Sequence, residues 1–369
     1  MDTSISQCYT TTDMYTKEDL INDTENRKNL TKSINTDNDA TDEKPETMKS
    51  GLFNFKTDVI WYIALQLALL HGIGIYSTLT FNYLKNPMTT LWIIGMYIIS
   101  NLGVSAGAHR LWSHKCYKAK VPLRILLLIC FSACAQNTIC KWVKNHRMHH
   151  KYCDTSADPH NTQRGFFYTH IGWVMMKEDP KFTEKSKQLN LSDVMSDPVV
   201  VFGEKYFLPL QLFFGFILPT MLPVYLWNET WSRAIISQVF IRYMITLNSV
   251  WTINSIAHAW GTRPYNKNIK PADNNFVNYV TVGEGYHNYH HMFPWDYRSA
   301  ETGNNRMNYT TFFIDIFAKL GLAYDLRYPS VDLIKNMILK TGDGTHPTLS
   351  EVPKPKSGKY SREKIKQRT

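Results

Sequence analysis

The segment VIWYIALQLALLHGIGIYSTLTF, residues 59–81, contains no Asp, Glu, Lys or Arg. Three further apolar runs follow it, at residues 89–108, 206–227 and 234–257. Each run has about 20 residues, and a helix of that length, rising ~1.5 Å per residue, crosses the ~30 Å hydrocarbon core of a bilayer. Because the runs come as two closely spaced pairs, the sequence predicts an all-α integral membrane protein with four transmembrane helices in two hairpins.

The basic residues predict how such helices are oriented. The short loops inside the two hairpins carry one base each, Lys85 and Arg233, whereas residues 109–205 and 258–345 are rich in Lys and Arg. Positive charge marks the cytosolic side of membrane proteins. We therefore expect both termini in the cytosol, where the two long segments meet as one helical cap on the membrane surface.

The ends of the chain differ in composition from its middle. Residues 1–50 are rich in Thr, Asn and Asp, which predicts a disordered N-terminal tail. Residues 346–369 are rich in Lys and Pro and are predicted to form a basic, disordered C-terminal tail, leaving one domain over residues 51–345. The net charge of +10 suits anionic lipid headgroups and phosphate-bearing ligands. No basic motif with interleaved aromatic residues indicates nucleic-acid binding.

Histidine is the residue type with the most informative distribution. Nine of the 13 histidines fall in four clusters: HRLWSH with His109 and His114, HRMHH with His146, His149 and His150, NSIAH with His258, and HNYHH with His287, His290 and His291. In an HxxHH pattern, positions i, i+3 and i+4 lie on one helix face, so that three imidazoles can converge on a metal ion. The two copies are therefore predicted to supply facing halves of a site.

The other two clusters lie where apolar runs end. His109 and His114 are five residues apart, about 140° around an ideal α-helix, which predicts a position at the helix end or binding to different metal ions. Asn254 precedes His258 by one turn on the same face, so that its amide could hold a metal-bound water. An isolated histidine is more often structural than a ligand, but four clusters at membrane boundaries favour metal binding.

The number of imidazoles limits the kind of metal site. Nine nitrogens exceed what one ion binds, so the clusters predict a dimetal site in the cap, with four or five ligands for each ion. Imidazole suits zinc, copper, iron and nickel alike. A pair of redox metals fits dioxygen activation, with imidazoles in place of the carboxylates of soluble di-iron proteins. A zinc hydrolase would need fewer ligands.

Four segments carry a resemblance to a known family: GVSAGAHRLWSHKCYKA, QNTICKWVKNHRMHHKYCDTSADPHN, NSIAHAWGTRPY and GEGYHNYHHMFPWDYRSAE. They resemble the animal acyl-CoA desaturases of the stearoyl-CoA, delta-9 type, and above all the insect enzymes that include the moth pheromone desaturases. The resemblance implies two iron ions, dioxygen as co-substrate, a fatty acyl-CoA substrate and a kinked acyl tunnel. It also implies electrons from cytochrome b5 and its NADH-dependent reductase, and a location in the endoplasmic reticulum membrane.

The same resemblance implies roles for individual residues. It makes all nine clustered histidines iron ligands, and it gives Asn254 the metal-bound water. Trp251 matches a position that lines the tunnel. Gln136 and Asn137 match polar residues near the thioester end of the substrate.

Four further residues bear on the substrate. Where relatives have an Arg-Asp pair, this chain has Lys144 and Asn145. Lysine interacts with a phosphate as a point charge and cannot form the two parallel hydrogen bonds that arginine forms. Whether this position contacts coenzyme A is therefore an open question. Ile93 and Tyr97, one turn apart on the second apolar run, are candidates for the closed end of the tunnel that sets chain length, although plain helix packing explains their bulk as well.

Two other functions are compatible with the pattern. A hydroxylase or other oxygenase could use the same di-iron scaffold, because the same oxidant can deliver a hydroxyl group. A non-catalytic metal-binding or zinc-transport membrane protein is a more distant alternative, but transporters hold their ligands near the bilayer midplane. His160 and His170, near the clusters, are interpreted as supporting or structural residues.

Overall fold

The computed structural model describes residues 57–301 and 308–350. The tail predicted at residues 1–50, and most of the tail predicted at residues 346–369, lie outside the described residues. The helices, numbered along the chain, are α1 Trp61–Thr80, α2 Pro87–Ser113, α3 Val121–Cys134, α4 Ile139–Lys151, α5 Phe166–His170, α6 Pro180–Ser186, α7 Ser192–Met195, α8 Pro198–Lys205, α9 Phe207–Trp227, α10 at residues 231–259, α11 Asn275–Val280, α12 His287–Met292, α13 Tyr309–Lys319 and α14 Val331–Thr341. Two short strands, β1 Lys118–Ala119 and β2 Ala323–Tyr324, pair antiparallel with Lys118 opposite Tyr324.

Three helices of the described chain are long and apolar enough to cross a membrane: α1, α2 and α9. They coincide with the first three predicted runs. The fourth run forms a continuous helix, α10, but α10 is not among the helices that meet the same criterion. Gln238, Arg242 and Asn248 make it more polar than the others. A fourth candidate span arises only if α3 and α4, bent by 83°, count as one.

The polar residues of α10 are directed into the helix bundle. Arg242 is fully buried, and its guanidinium donates a hydrogen bond to the Ala133 carbonyl at the end of α3 at 2.8 Å and another to the Gly215 carbonyl of α9. An ionisable side chain among apolar helices is favourable only with such partners. Arg242 therefore ties α3, α9 and α10 together.

Helices α2 and α3 cross in backbone contact. A Cβ atom on Gly103 would lie 2.2 Å from the backbone of Cys130 and Phe131, a distance that no side chain tolerates. At the opposite end of α2, Thr89 donates to Glu229 at 2.6 Å and accepts from the indole of Trp227 at 3.0 Å. The two hairpins are thus joined at the end of the bundle away from the histidines.

The segments between the apolar helices pack around the far ends of α2 and α10. One hydrophobic core joins the end of α2 with α3, α4, α8 and α13. Arg147 of α4 donates to the carbonyls of Trp112 and Ser113, at 2.9 and 3.0 Å, and forms two hydrogen bonds with Asp193. This packing holds the histidine clusters of α2 and α4 in one region.

Candidate metal centre

The last turns of α2 have π-helical geometry, over Gly103–Ser113. The His114 amide donates to the His109 carbonyl at 3.2 Å, and each π-helical hydrogen bond joins residues five apart. Residues i and i+5 therefore lie on one side, and the two rings have centroids 5.1 Å apart. His114 follows the last residue of α2, as expected, but the two rings lie in one group and are not directed to separate sites.

The nine clustered histidines form two groups. The five-histidine group contains His109, His114, His146, His150 and His290, and the four-histidine group contains His149, His258, His287 and His291. Within each group, one nitrogen of every ring lies within 4.8 Å of the others. Each HxxHH pattern is thus divided between the groups and does not converge on one ion as the helix-face argument predicted. Adjacent residues such as His149 and His150 differ by about 100° around a helix and diverge.

The distances between nitrogens fit shared metal ions. In the five-histidine group, Nε2 atoms approach to 2.7 Å between His114 and His146 and to 3.0 Å between His109 and His290. In the four-histidine group, His287 Nε2 lies 3.0 Å from that of His258 and 3.1 Å from that of His291. Two bonds of about 2.1 Å to one metal ion, at right angles, would place their nitrogens about 3.0 Å apart.

One buried nitrogen adds to this fit. His149 Nε2 has no hydrogen-bond partner among the described residues, although its ring is 2% exposed. A buried polar nitrogen without a partner costs free energy unless a ligand satisfies it. Both groups therefore have the donors and spacing of metal sites, and the four-histidine group also has a buried nitrogen that a metal ion would satisfy.

The protonation of the rings also suits metal binding. Burial, followed by the charge of neighbouring histidines, lowers the pKa of His146, His150, His287, His290 and His291 well below the ordinary value. Metal ions bind the neutral imidazole. These five rings can consequently coordinate at neutral pH without first losing protons.

Glu284 supports the five-histidine group from outside. Its carboxylate lies 3.0 Å from His109 Nδ1 and 2.8 Å from the guanidinium of Arg110, which is fully buried. Burial alone would raise the pKa of Glu284, but Arg110 and His109 lower it to about 2. An anion on Nδ1 fixes the ring and leaves Nε2 free for a metal ion.

Gly285 allows this carboxylate to lie where it does. A Cβ atom on Gly285 would come within 2.2 Å of the backbone nitrogen of Asn278. Neither Glu284 nor Arg110 was predicted from the sequence as a site residue. The position of Glu284 in GEGYHNYHH, three residues before His287, is the sequence feature that could have indicated a supporting acid.

Two aspartates support the four-histidine group. Both carboxylate oxygens of Asp158 lie 3.0 Å from His149 Nδ1, and Asp154 lies 3.9 Å from His258 Nδ1. Burial lowers the pKa of His149, but Asp158 and Asp154 outweigh it and the net shift is upward. Neither aspartate was predicted as a site residue, although both follow HRMHH within eight residues. His160 lies beside them, donating its backbone amide to Asp158 at 2.8 Å.

Asp273 fixes the start of α12, the helix that carries His287, His290 and His291. Its carboxylate accepts from the backbone amides of Asn288 and Tyr289, at 2.8 and 3.2 Å. Burial raises the pKa of Asp273 to about 7, with smaller contributions from Asp343 and Glu301. Because α12 contributes rings to both groups, Asp273 positions donors in each.

Trp251 and its surroundings lie on α10 beside Asn254. Trp251 is buried, and its ring lies 6.2 Å from His71 and 6.0 Å from His170. These two histidines are joined through Asn248, which is 2.9 Å from His71 and 3.1 Å from His170. His170 thus belongs to a polar network around Trp251 and to neither histidine group, while Asn254 is half-buried.

Of the residues predicted near the substrate's polar end, Gln136 and Asn137 lie between α3 and α4, and Lys144 and Asn145 lie on α4. The amide nitrogen of Gln136 is buried without a hydrogen-bond partner among the described residues, whereas Asn137 is exposed. The Lys144 ammonium lies 5.3 Å from the Phe182 ring. The Asn145 side-chain oxygen is buried and, among the described residues, has no donor. Gln136 and Asn145 therefore have unused hydrogen-bonding capacity.

The two tunnel-end candidates lie in the helix bundle. Ile93 is buried, and the Tyr97 hydroxyl donates to the Val280 carbonyl of α11. Of the cysteines near the clusters, Cys116 is buried against the Pro294 carbonyl, at 3.2 Å. Cys153 lies within ligand distance of Asp154 and His258, but burial raises the pKa of its thiol, which disfavours the thiolate that metals bind.

Comparison with known proteins agrees with this geometry. Residues 55–301 match the fatty acid desaturase family. The chain is 48% identical over 289 residues to an acyl-CoA Delta-9 desaturase of Acheta domesticus, covering 78% of this chain and 79% of that protein. Identity to an acyl-CoA Delta(11) desaturase of Spodoptera littoralis is 46% over 291 residues, covering 79% and 86%. Identity to a stearoyl-CoA desaturase of Homo sapiens is 44% over 296 residues, covering 79% and 80%.

These matches confirm the resemblance that the histidine motifs indicated. The family match spans more than half of the chain and contains both histidine groups. The chain belongs to the fatty acid desaturase family.

Proposed function

We propose that this chain is a membrane acyl-CoA desaturase that inserts a double bond into the acyl chain of a fatty acyl-CoA. The observation that carries the proposal is the pair of largely buried histidine groups, with five and four convergent nitrogens, assembled around the ends of α2 and α10. Relatives named acyl-CoA Delta-9, acyl-CoA Delta(11) and stearoyl-CoA desaturase support the substrate class.

Two iron ions are the cofactors in this proposal, one in each group. When bound, they supply the activation of dioxygen and the oxidation of an unactivated C–H bond, which no protein side chain can perform. One dioxygen, two electrons, two protons and two hydrogens of the acyl chain yield one double bond and two waters. The nine histidines are the ligands, and Asn254 holds a metal-bound water.

The chain's own residues hold the substrate in register with the metal centre. A saturated acyl chain has no distinguishing groups, so only its fixed position selects two methylenes. Trp251 lines the tunnel, with Ile93 and Tyr97 at its closed end. The unused amide of Gln136 is available to the thioester carbonyl, with Asn137 nearby. Lys144 meets a phosphate of coenzyme A.

The proposed topology has four membrane spans with both termini in the cytosol and the histidine groups in a cytosolic cap. In this arrangement α10 is the fourth span, and its polar side chains are tolerated because they are directed into the bundle. The placement of Lys and Arg supports this orientation. We place the protein in the endoplasmic reticulum membrane, where cytochrome b5 and its NADH-dependent reductase supply the electrons.

Expression in a yeast strain lacking its own desaturase tests the proposal directly. We expect unsaturated fatty acids in the lipid extract, with the double-bond position read by mass spectrometry of derivatised products. The relatives are named for desaturation at Δ9 and at Δ11, so both double-bond positions are open for this chain. The formation of pheromone precursors is open as well. His149→Ala should abolish the product while the protein stays in the membrane. A hydroxylated product would assign the chain to the oxygenases instead.

A further inference from the structure

Helix α13 presents an apolar face to the outside of the protein. Tyr309, Phe312, Ile316 and Leu320 are exposed along one side, with Phe312 66% and Leu320 64% accessible. Their spacing of three or four residues places them in one stripe. The inner side is occupied by buried Thr310, Thr311 and Ile314. Phe313 and Phe317 also pack against the hydrophobic core. Helix α13 is therefore apolar on its inner and outer sides, unlike a helix that covers a water-soluble core and turns a polar face to water.

Helix α11 continues this surface. Phe276 and Tyr279, three residues apart, are 57% and 56% exposed. The two helices are neighbours, because Thr310 at the start of α13 donates its backbone amide to the Val282 carbonyl just after α11, at 3.1 Å. Contiguous exposed apolar surface of this extent indicates an interaction site.

Both helices are attached to the apolar part of α2. The Tyr97 hydroxyl donates to the Val280 carbonyl of α11, and the Ser105 hydroxyl lies 3.0 Å from that of Thr310. Tyr97 and Ser105 both belong to the apolar run at residues 89–108, which lies in α2, a candidate membrane span. The apolar faces of α11 and α13 therefore lie beside the apolar part of a helix that is a candidate membrane span.

Helix α14, another exposed helix of the same domain, provides a comparison for the residue types at exposed positions. Its accessible positions mix Val331 and Leu339 with Asp332, Lys335 and Lys340. On α13 the only charged side chain among the exposed positions is Lys319, at its end. The difference points to a non-aqueous environment for α13 and not for α14.

We propose that α11 and α13 form a lipid-contacting surface, with Phe276, Tyr279, Tyr309, Phe312, Ile316 and Leu320 inserted in the leaflet on the histidine side of the membrane. The inference rests on the membrane location in the proposed function and not on the desaturase activity. The metal centre is then held against the bilayer by peripheral helices as well as by spanning ones. An interfacial helix of this kind lies in the plane of the headgroups with its apolar side among the acyl chains.

Photocrosslinking in the full-length protein tests the surface. The photoreactive analogue p-benzoylphenylalanine replaces Phe312 in one variant, Lys335 of α14 in a second, and Leu91 of α2, 64% exposed, in a third. After irradiation in microsomal membranes, mass spectrometry identifies what is attached. We expect phospholipid adducts at 312 and at 91 and none at 335. If the variant at 312 does not accumulate, the same analogue at Ile316 replaces it.

The outcomes separate this inference from the proposed membrane location. Lipid adducts at 91 but not at 312 would overturn the lipid-contacting surface alone. Adducts at 312 with another segment of this chain, a second copy or a different protein would overturn it too, by naming the true occupant. A lack of lipid adducts at both 91 and 312 would overturn the membrane location itself.

Discussion

The two histidine groups differ in size and in how they are supported. The five-histidine group is held by one buried ion pair, between Glu284 and Arg110, which also contacts His109. The four-histidine group is held by two aspartates in a short loop after α4, Asp158 on His149 and Asp154 near His258. The ion pair of the five-histidine group joins residues 174 apart in the sequence, whereas the four-histidine group has one local contact, between His149 and Asp158, and one long-range contact, between His258 and Asp154. This difference predicts unequal responses to equivalent changes.

The largest expected effect is the removal of one ring from each group. His287→Ala leaves three nitrogens in the four-histidine group, whereas His290→Ala leaves four in the five-histidine group. We expect both variants to lose desaturation entirely, and His287→Ala to lose more metal because fewer ligands remain. Inductively coupled plasma mass spectrometry of the purified variants measures the iron bound per chain and compares their metal loss. His346→Ala, outside both groups, serves as the control that keeps its iron. Equal metal loss in both variants would remove the distinction between the groups.

Neutralising Glu284 should have the next largest effect. Glu284→Gln leaves Arg110 buried without its anion, and breaking a buried pair from one side costs about 3–5 kcal/mol. We expect a lower thermal unfolding temperature together with metal loss from the five-histidine group. Glu178→Gln, at an exposed position, should leave both quantities unchanged. Wild-type stability of Glu284→Gln would mean that the ion pair does not support this group.

Asp158→Asn should act on metal binding more than on folding. The asparagine keeps a hydrogen-bond acceptor near His149 but loses the charge that orients the ring. Loss of such a partner typically weakens metal affinity about 10–100-fold. We expect iron to be removed from this variant at a lower chelator concentration than from wild type, with little change in unfolding temperature. Asp332→Asn on α14 is the matched control. A large stability loss would show that Asp158 serves the fold rather than the ligand.

The smallest expected effect is pH-dependent and acts on both groups through α12. In the folded protein the pKa of Asp273 is about 7, above its ordinary value of 3.8, so the folded state binds the proton more tightly. Stability from this group is therefore lost as pH rises from about 4 to 7, and the last part of that loss, about 1 kcal/mol, falls between pH 6 and pH 8. Thermal unfolding at the two pH values should show this decrease in wild type. Asp273→Asn should show a smaller decrease, and an identical one would exclude Asp273 as its source.

Much of the fold followed from hydropathy. Three of the apolar runs became helices whose ends lie within two residues of prediction at most boundaries, except that α2 continues to Ser113. The fourth run became α10, yet its polarity keeps it out of the candidate spans. A run's mean apolarity does not show which polar side chains will find partners, and the contacts of Arg242 on α3 and α9 exist only in the folded bundle.

The site was foreseen in its residues and not in its arrangement. Spacing assumed an α-helix at His109 and His114, but the π-helical turns place the two rings on one side. The supporting acid Glu284 escaped notice because 174 residues separate it from its partner Arg110. The residues next to Glu284 in the sequence do not indicate that it pairs with Arg110.

By itself the sequence determined the chemistry: apolar runs long enough for a bilayer, and nine imidazoles, more than one metal ion can bind. Ligand type and helix length are properties of local composition, so they can be read along the chain. Only the tertiary structure decided which ring joins which group, because that depends on how α2, α4, α10 and α12 cross. Neighbouring rings on one helix diverge, whereas rings from distant helices meet, and the crossing of helices is set by packing over the whole molecule.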